Sequence, residues 1–172
     1  MPEEMENEVG FFSLSELASM DTTALPALTS LIPAAGVYFM RGEDVKGGEN
    51  QSQDESKPNL FYFNFVGEIL EAKLVDKSID PETLVGRKLT DNFTLWPNQF
   101  KELLGLLKGR YKTVGLVYDG PRLGGVDGQE PGWLDNWVGH EYHVKISHYT
   151  DKGGNVRARF TYMKPQNDEA GE

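Results

Sequence analysis

The 172-residue chain contains no cysteine. That absence excludes a disulfide framework, a thiolate zinc site, a zinc knuckle and a cysteine nucleophile. No apolar run approaches the roughly 20 residues of a membrane-spanning helix, so no membrane partner is expected. Residues 1–35 hold neither lysine nor arginine, and the opening Met-Pro-Glu-Glu-Met-Glu-Asn-Glu is acidic where a signal peptide would be basic. The three histidines fall at 140, 143 and 148. His140 and His148 stand too far apart on one strand to share a metal, and His143 with Glu141 finds no third ligand, so no metal or other cofactor is expected. The 38% hydrophobic share is low for a compact chain, which points to some polar or disordered length, while 11% aromatics suffice for a core.

The net charge of −10 is unevenly spread. Six acids lie in residues 1–35 and three in 165–172, where there is no base. The other 18 acids face all 17 bases in residues 36–164, a balance of −1. The expected organisation is therefore an acidic arm and apolar strap over 1–35, a folded body over 36–164 and an acidic tail over 165–172. Such acidic ends solubilise, compete with a polyanion for a basic groove, or recruit a partner.

Alternation and turn signals order the body. Leu14 to Leu17 predicts a short helix, and the strap over 21–35, with Pro26 and Pro33, an extended run. Gly36 to Arg41 is the first strand, followed by a mobile polar loop over 42–58. Residues 59–75 form a long strand with Phe61, Phe63, Phe65 and Ile69 inward and a bulge or bend at Gly67. Leu84 to Leu95 is the next strand. Pro97 to Lys108 is a helix with Phe100, Leu103, Leu104 and Leu107 on one stripe, stopped by Gly109. Thr113 to Tyr118 is a short strand before a loop with five glycines and two prolines over 119–132. Trp137 to Tyr149 and Asn155 to Lys164 pair as a hairpin across Thr150 to Gly154. Strand, loop, long bent strand, strand, single helix, later strands: the expected fold is mostly β, an OB-fold-like five-stranded antiparallel barrel with one helix between strands and long loops. An α+β sandwich shares most of these signals; the element order favours the barrel.

The last hairpin is the most informative segment. Val156, Ala158, Phe160 and Tyr162 alternate with Arg157 and Arg159, and Val144 and Ile146 with His143, Lys145 and Tyr149. Pairing as written puts His143, Lys145, Tyr149, Arg157 and Arg159 on one face, a mixture of cations and aromatics suited to phosphates and stacked bases. A solvated outer strand face is the plainer alternative, but it would mix charges, and Glu141 at the edge is the one acid here. A second basic cluster is Arg87, Lys88, Arg110, Tyr111 and Lys112, where cations also complement a helix C-terminus. Arg41 and Lys46 enter the first loop. Trp133, in its Gly/Pro setting, is the best exposed platform of the three tryptophans. No phosphate loop, no Gly-x-Ser-x-Gly elbow and no convergent carboxylate pair is present, so no enzyme activity is expected.

The order of landmarks resembles phage-type OB-fold single-stranded-DNA-binding proteins. It is carried by Gly36-Val-Tyr-Phe, Leu60-Phe-Tyr-Phe-Asn-Phe-Val, Val85-Gly-Arg-Lys-Leu, Phe100-Lys-Glu-Leu-Leu-Gly-Leu-Leu, Trp137-Val-Gly-His-Glu-Tyr-His-Val and the turn Asp151-Lys-Gly-Gly-Asn155. It spans about residues 36–164 and is one of architecture. It implies sequence-independent binding of single-stranded DNA in phage-type DNA replication or recombination, in the cytoplasm of a prokaryotic host cell, with no cofactor. The β-face and flanking loops would bind. The tail 166–172 departs from that family in having no terminal aromatic, so the acidic N-terminal arm, with Phe11 and Phe12, is left to recruit replication or recombination proteins. The competing expectation is a virion or assembly protein that associates, as a homo-oligomer, through residues 10–35.

Overall fold

The computed structural model describes residues 13–23 and 32–165. The tail over 166–172, residues 1–12 of the arm and residues 24–31 of the strap lie outside the described residues. Helix α1 (Leu14–Ala18) starts on a reciprocal cap: the Ser13 hydroxyl accepts from the Glu16 N–H, and the Glu16 carboxylate accepts from the Ser13 N–H at 2.8 Å. Its Leu14 and Leu17 are exposed.

Five antiparallel strands form one sheet in the order β3-β2-β1-β4-β5. They are β1 (Gly36–Asn50), β2 (Leu60–Leu74), β3 (Lys88–Leu95), β4 (Glu141–Thr150) and β5 (Val156–Tyr162). Helix α2 (Phe100–Thr113) stands between β3 and β4 in the chain. The sheet remains open between β3 and β5. The segment expected as a loop over 42–58 is strand as far as Asn50. Aromatics on β2 hold these glycine-rich residues in place: a Cβ at Gly47 would meet the Phe63 ring, and one at Gly48 the Tyr62 ring. The Gly47 N–H also donates to the Gly125 carbonyl at 2.7 Å, tying the far loop to β1.

Two irregularities in the β1–β2 ladder decide which side chains face inward. Phe39 pairs with Glu71 and Met40 with Ile69, leaving Leu70 unpaired; Gly42 pairs with Gly67 and Asp44 with Val66, leaving Glu43 unpaired. A one-residue insertion reverses the side-chain parity beyond it. On β2 the buried set therefore changes from Phe63, Phe65 and Ile69 to Ala72 and Leu74. The irregularity at Glu43 lies opposite Gly67, the expected site of a bulge or bend; the extra residue sits on β1, and Gly67 itself is a close-approach site, since a Cβ there would collide with the Tyr142 hydroxyl.

Helix α2 runs past Gly109 to Thr113 and ends at Gly115. The Gly115 N–H donates to Lys112 O and the Leu116 N–H to Tyr111 O, with Gly115 at φ +81°, the paired closure that a left-handed residue permits. Gly109 does not stop the helix because burial of Tyr111 and Val114 holds its last turn down. The strand expected over Thr113–Tyr118 is accordingly absent: Thr113 ends the helix, Val114 and Gly115 form its closing turn, and residues 116–118 are irregular. Trp137, expected to open a strand, closes a 3-10 turn over Trp133–Trp137. The Asp135 carboxylate accepts from the Gly132 N–H at 2.7 Å and the Gly125 N–H at 3.1 Å, folding the glycine-rich loop back on this turn.

The core is unusually aromatic. Trp137 lies edge-on to Phe65 at 5.1 Å and tilted over Tyr142 at 4.4 Å, while Tyr111 meets Trp133 edge-to-face at 5.0 Å. Burial pushes the Tyr38 hydroxyl up to about 12 and raises Tyr111, Tyr142 and Tyr162 as well. An unfolded chain releases phenolic protons from about pH 10, whereas the folded chain retains them, so stability falls as pH rises between about 10 and 12. Each such tyrosine contributes a loss of about 1.4 kcal/mol per pH unit. Urea midpoints followed by circular dichroism should drop steeply across this interval; a flat profile would contradict the buried phenols.

Candidate nucleic-acid interface

The outer face of the β4–β5 hairpin assembles as the alternation predicts. Tyr149 is opposite Arg157, Ser147 opposite Arg159, and Lys145 opposite Thr161. The Arg159 guanidinium lies 4.7 Å from the Tyr149 ring centroid. Arg157 Nε donates to Asp151 at 2.9 Å. Backbone N–H donation from Asn155, and then Arg157, hold the Asp151 carboxyl below its ordinary range, which fixes the turn at the hairpin tip. Among the described residues, Lys145 and Arg159 make no ion pair.

The face continues across β1 onto β2. Val37 lies between Lys145 on one side and Lys73 on the other. Phe39 sits opposite His143, their ring centroids 4.7 Å apart. A cationic stripe of Lys73, Lys145, Arg159 and Arg157 thus crosses the outer sheet beside the Phe39–His143 pair, whose rings are tilted 32° to each other, and Tyr149. Lys73 was not legible in the sequence, because its odd number places it with Phe63 and Phe65 on the core side. The unpaired Leu70 reverses that parity and turns Lys73 outward.

Beyond this stripe the face becomes a band of paired charges. Arg41 donates to Glu68 at 2.8 Å, Lys88 meets Glu43 at 3.0 Å, and Lys46 lies a loose 3.8 Å from Asp44. Arg41 and Lys88, both expected to bind phosphate, are therefore engaged with carboxylates, as Arg157 is with Asp151; Lys73, Lys145 and Arg159 make no ion pair among the described residues. Arg87 is exposed just before β3 and Lys112 in the last turn of α2, neither in register with the stripe. Past the band, Tyr62, Asn64, Asn92 and Thr94 face outward on β2 and β3. The Asn92 amide donates to Asn64 at 2.8 Å, and the Thr94 hydroxyl to Asn92 at 2.9 Å. This uncharged polar strip was not anticipated either.

Three expected contact residues are corrected. Tyr111 is fully buried, its hydroxyl donating to Leu134 O at 2.5 Å. Trp133 is buried against it. Neither ring is free to stack on a base. Arg110 is enclosed between β3 and β5. It pairs with Asp91 at 3.2 Å and lies 4.3 Å from the Tyr162 ring centroid, 5.0 Å from that of Phe65 and 5.2 Å from that of Phe93. The Tyr162 hydroxyl donates to Asp91 at 2.7 Å. Side chains rather than backbone ladders thus bridge the open seam. Burial raises the Asp91 pKa even though Arg110 and Tyr162 act to lower it.

Among the described residues, no group of three or more His, Asp or Glu is placed to hold a metal ion, and no helix is long and apolar enough to cross a membrane. The fold and this face define an open, mostly β, five-stranded antiparallel sheet, with α2 between β3 and β4 in the chain and a cationic-aromatic outer surface. No family model matches the chain, and no curated protein matches it.

Proposed function

We propose that the protein binds single-stranded DNA, independently of sequence over most of its contact, on the outer face of β4, β5 and the adjoining part of β1. The observation that carries this reading is the stripe Lys73–Lys145–Arg159–Arg157 beside the exposed Tyr149 and the half-buried Phe39 and His143, in a chain whose net charge is −10. Cations spaced along a groove meet phosphates, while aromatic faces accept bases of any identity. The strand order and the position of α2 support an OB-type, partly open barrel, with the Asp91–Arg110–Tyr162 cluster at its seam. On the resemblance of its landmarks, the role is an accessory one in phage-type replication or recombination. The test is fluorescence anisotropy of a labelled oligonucleotide at two salt concentrations. Binding should weaken with salt at a log-log slope of roughly −0.7 per phosphate neutralised. Absence of binding at low salt would leave the second reading, an assembly module. The exposed Leu14 and Leu17 of α1 favour that alternative.

A further inference from the structure

Beside the stripe lies a cleft of about 220 Å³ with mixed polar and apolar walls. Phe39 and His143 form one part of it, Met163 and Pro165 another, and Glu141 supplies the carboxylate. Glu141 stands opposite Arg41, but Arg41 gives its guanidinium to Glu68 at 2.8 Å. Among the described residues Glu141 has no ion-pair partner. Glu71, exposed opposite Phe39, is likewise without an ion pair among the described residues, but of the two acids Glu141 is the one that lines the cleft. The cleft is smaller than a drug-sized ligand requires, and the half-buried Phe39 and His143 rings, tilted 32° to each other, give it an aromatic wall against which a planar ring can lie.

Resting on the single-stranded DNA reading, we infer that this cleft seats one nucleobase carrying an exocyclic amino group, with Glu141 accepting from that group. An ionised carboxylate only accepts hydrogen bonds. Cytosine offers it an N4 amino donor, whereas thymine presents a carbonyl oxygen at the equivalent position. Binding is then indifferent to sequence along the stripe but selective at this one position. Glu141 is the specificity-determining residue, and thymine is the disfavoured base.

The test titrates oligo-dC and oligo-dT of equal length with the full chain and with Glu141→Gln, at one salt concentration and neutral pH, by fluorescence anisotropy. Wild type should bind oligo-dC roughly tenfold more tightly than oligo-dT. In Glu141→Gln both affinities should rise, because a negative charge has left the face. Their ratio should approach one, because a carboxamide both donates and accepts. Equal wild-type affinity for the two oligomers would overturn the base cleft while leaving DNA binding intact. A dC preference that persists in Glu141→Gln would overturn the assignment to Glu141. Failure of both oligomers to bind would overturn the DNA reading itself, and this inference with it.

Discussion

Reversing Arg157 and Arg159 to glutamate should weaken single-stranded DNA binding on the order of 100-fold at low salt, equally for all sequences. Both side chains lie on the outer face of β5 and are exposed, so the fold should survive the change. Losing two phosphate contacts should also flatten the log-log salt slope by roughly 1.4. Net charge alone would produce some loss, because the chain is already at −10. The control is Arg87→Glu with Lys112→Glu, which changes the charge by the same amount outside the stripe. Under the present reading the control weakens binding several-fold at most. If the two double variants weaken binding equally, the effect is a general electrostatic one and the hairpin is not the binding face.

The second large effect is on stability. Arg110→Ala should cost about 3–5 kcal/mol, because it leaves the Asp91 carboxylate buried without its cation and removes a guanidinium that spans three aromatic rings. For a chain of this size that corresponds to a fall in Tm on the order of 10 °C. The pH dependence separates charge from packing. The folded-state pKa of Asp91 is already raised by burial and should rise further once Arg110 is gone. A folded state that holds this proton more tightly than the unfolded chain gains stability as pH falls toward the unfolded carboxyl value of about 4. The gap in stability between Arg110→Ala and wild type should therefore narrow from neutral pH down to about 4. A gap that stays constant with pH would mean that lost packing, not the stranded carboxylate, sets the cost.

These two variants also separate two kinds of arginine that look alike in the sequence. Arg110 follows a helical stripe and stands next to Tyr111 and Lys112, which reads as a basic cluster. Only the approach of β5 to β3 shows that Arg110 is enclosed, because Asp91 and Tyr162 are 71 residues apart in the chain. Tyr111, beside Arg110, belonged to the same apparent basic cluster and is likewise buried; Trp133 misled for a different reason. A Gly/Pro-rich context suggests exposure, but the Asp135 carboxylate gathers two backbone N–H groups and presses that loop onto the core.

What the sequence determined by itself were the features set by local periodicity. Strict alternation over 143–149 and 156–162 placed five side chains of the hairpin face on one side, because the β4–β5 ladder runs without a bulge and parity holds along it. The helix between β3 and β4, the short helix at Leu14 and the mostly β character were equally local. Tertiary structure decided what depends on partners. It converted residues 42–50 from loop to strand, because β2 supplies the missing ladder and covers the glycines with rings. It turned Lys73 outward through one unpaired residue, and it brought Phe39, His143 and Glu141 to one cleft through β1–β4 pairing. A bulge costs one residue in the chain yet inverts every side chain beyond it, and no local pattern records where a neighbouring strand will require one.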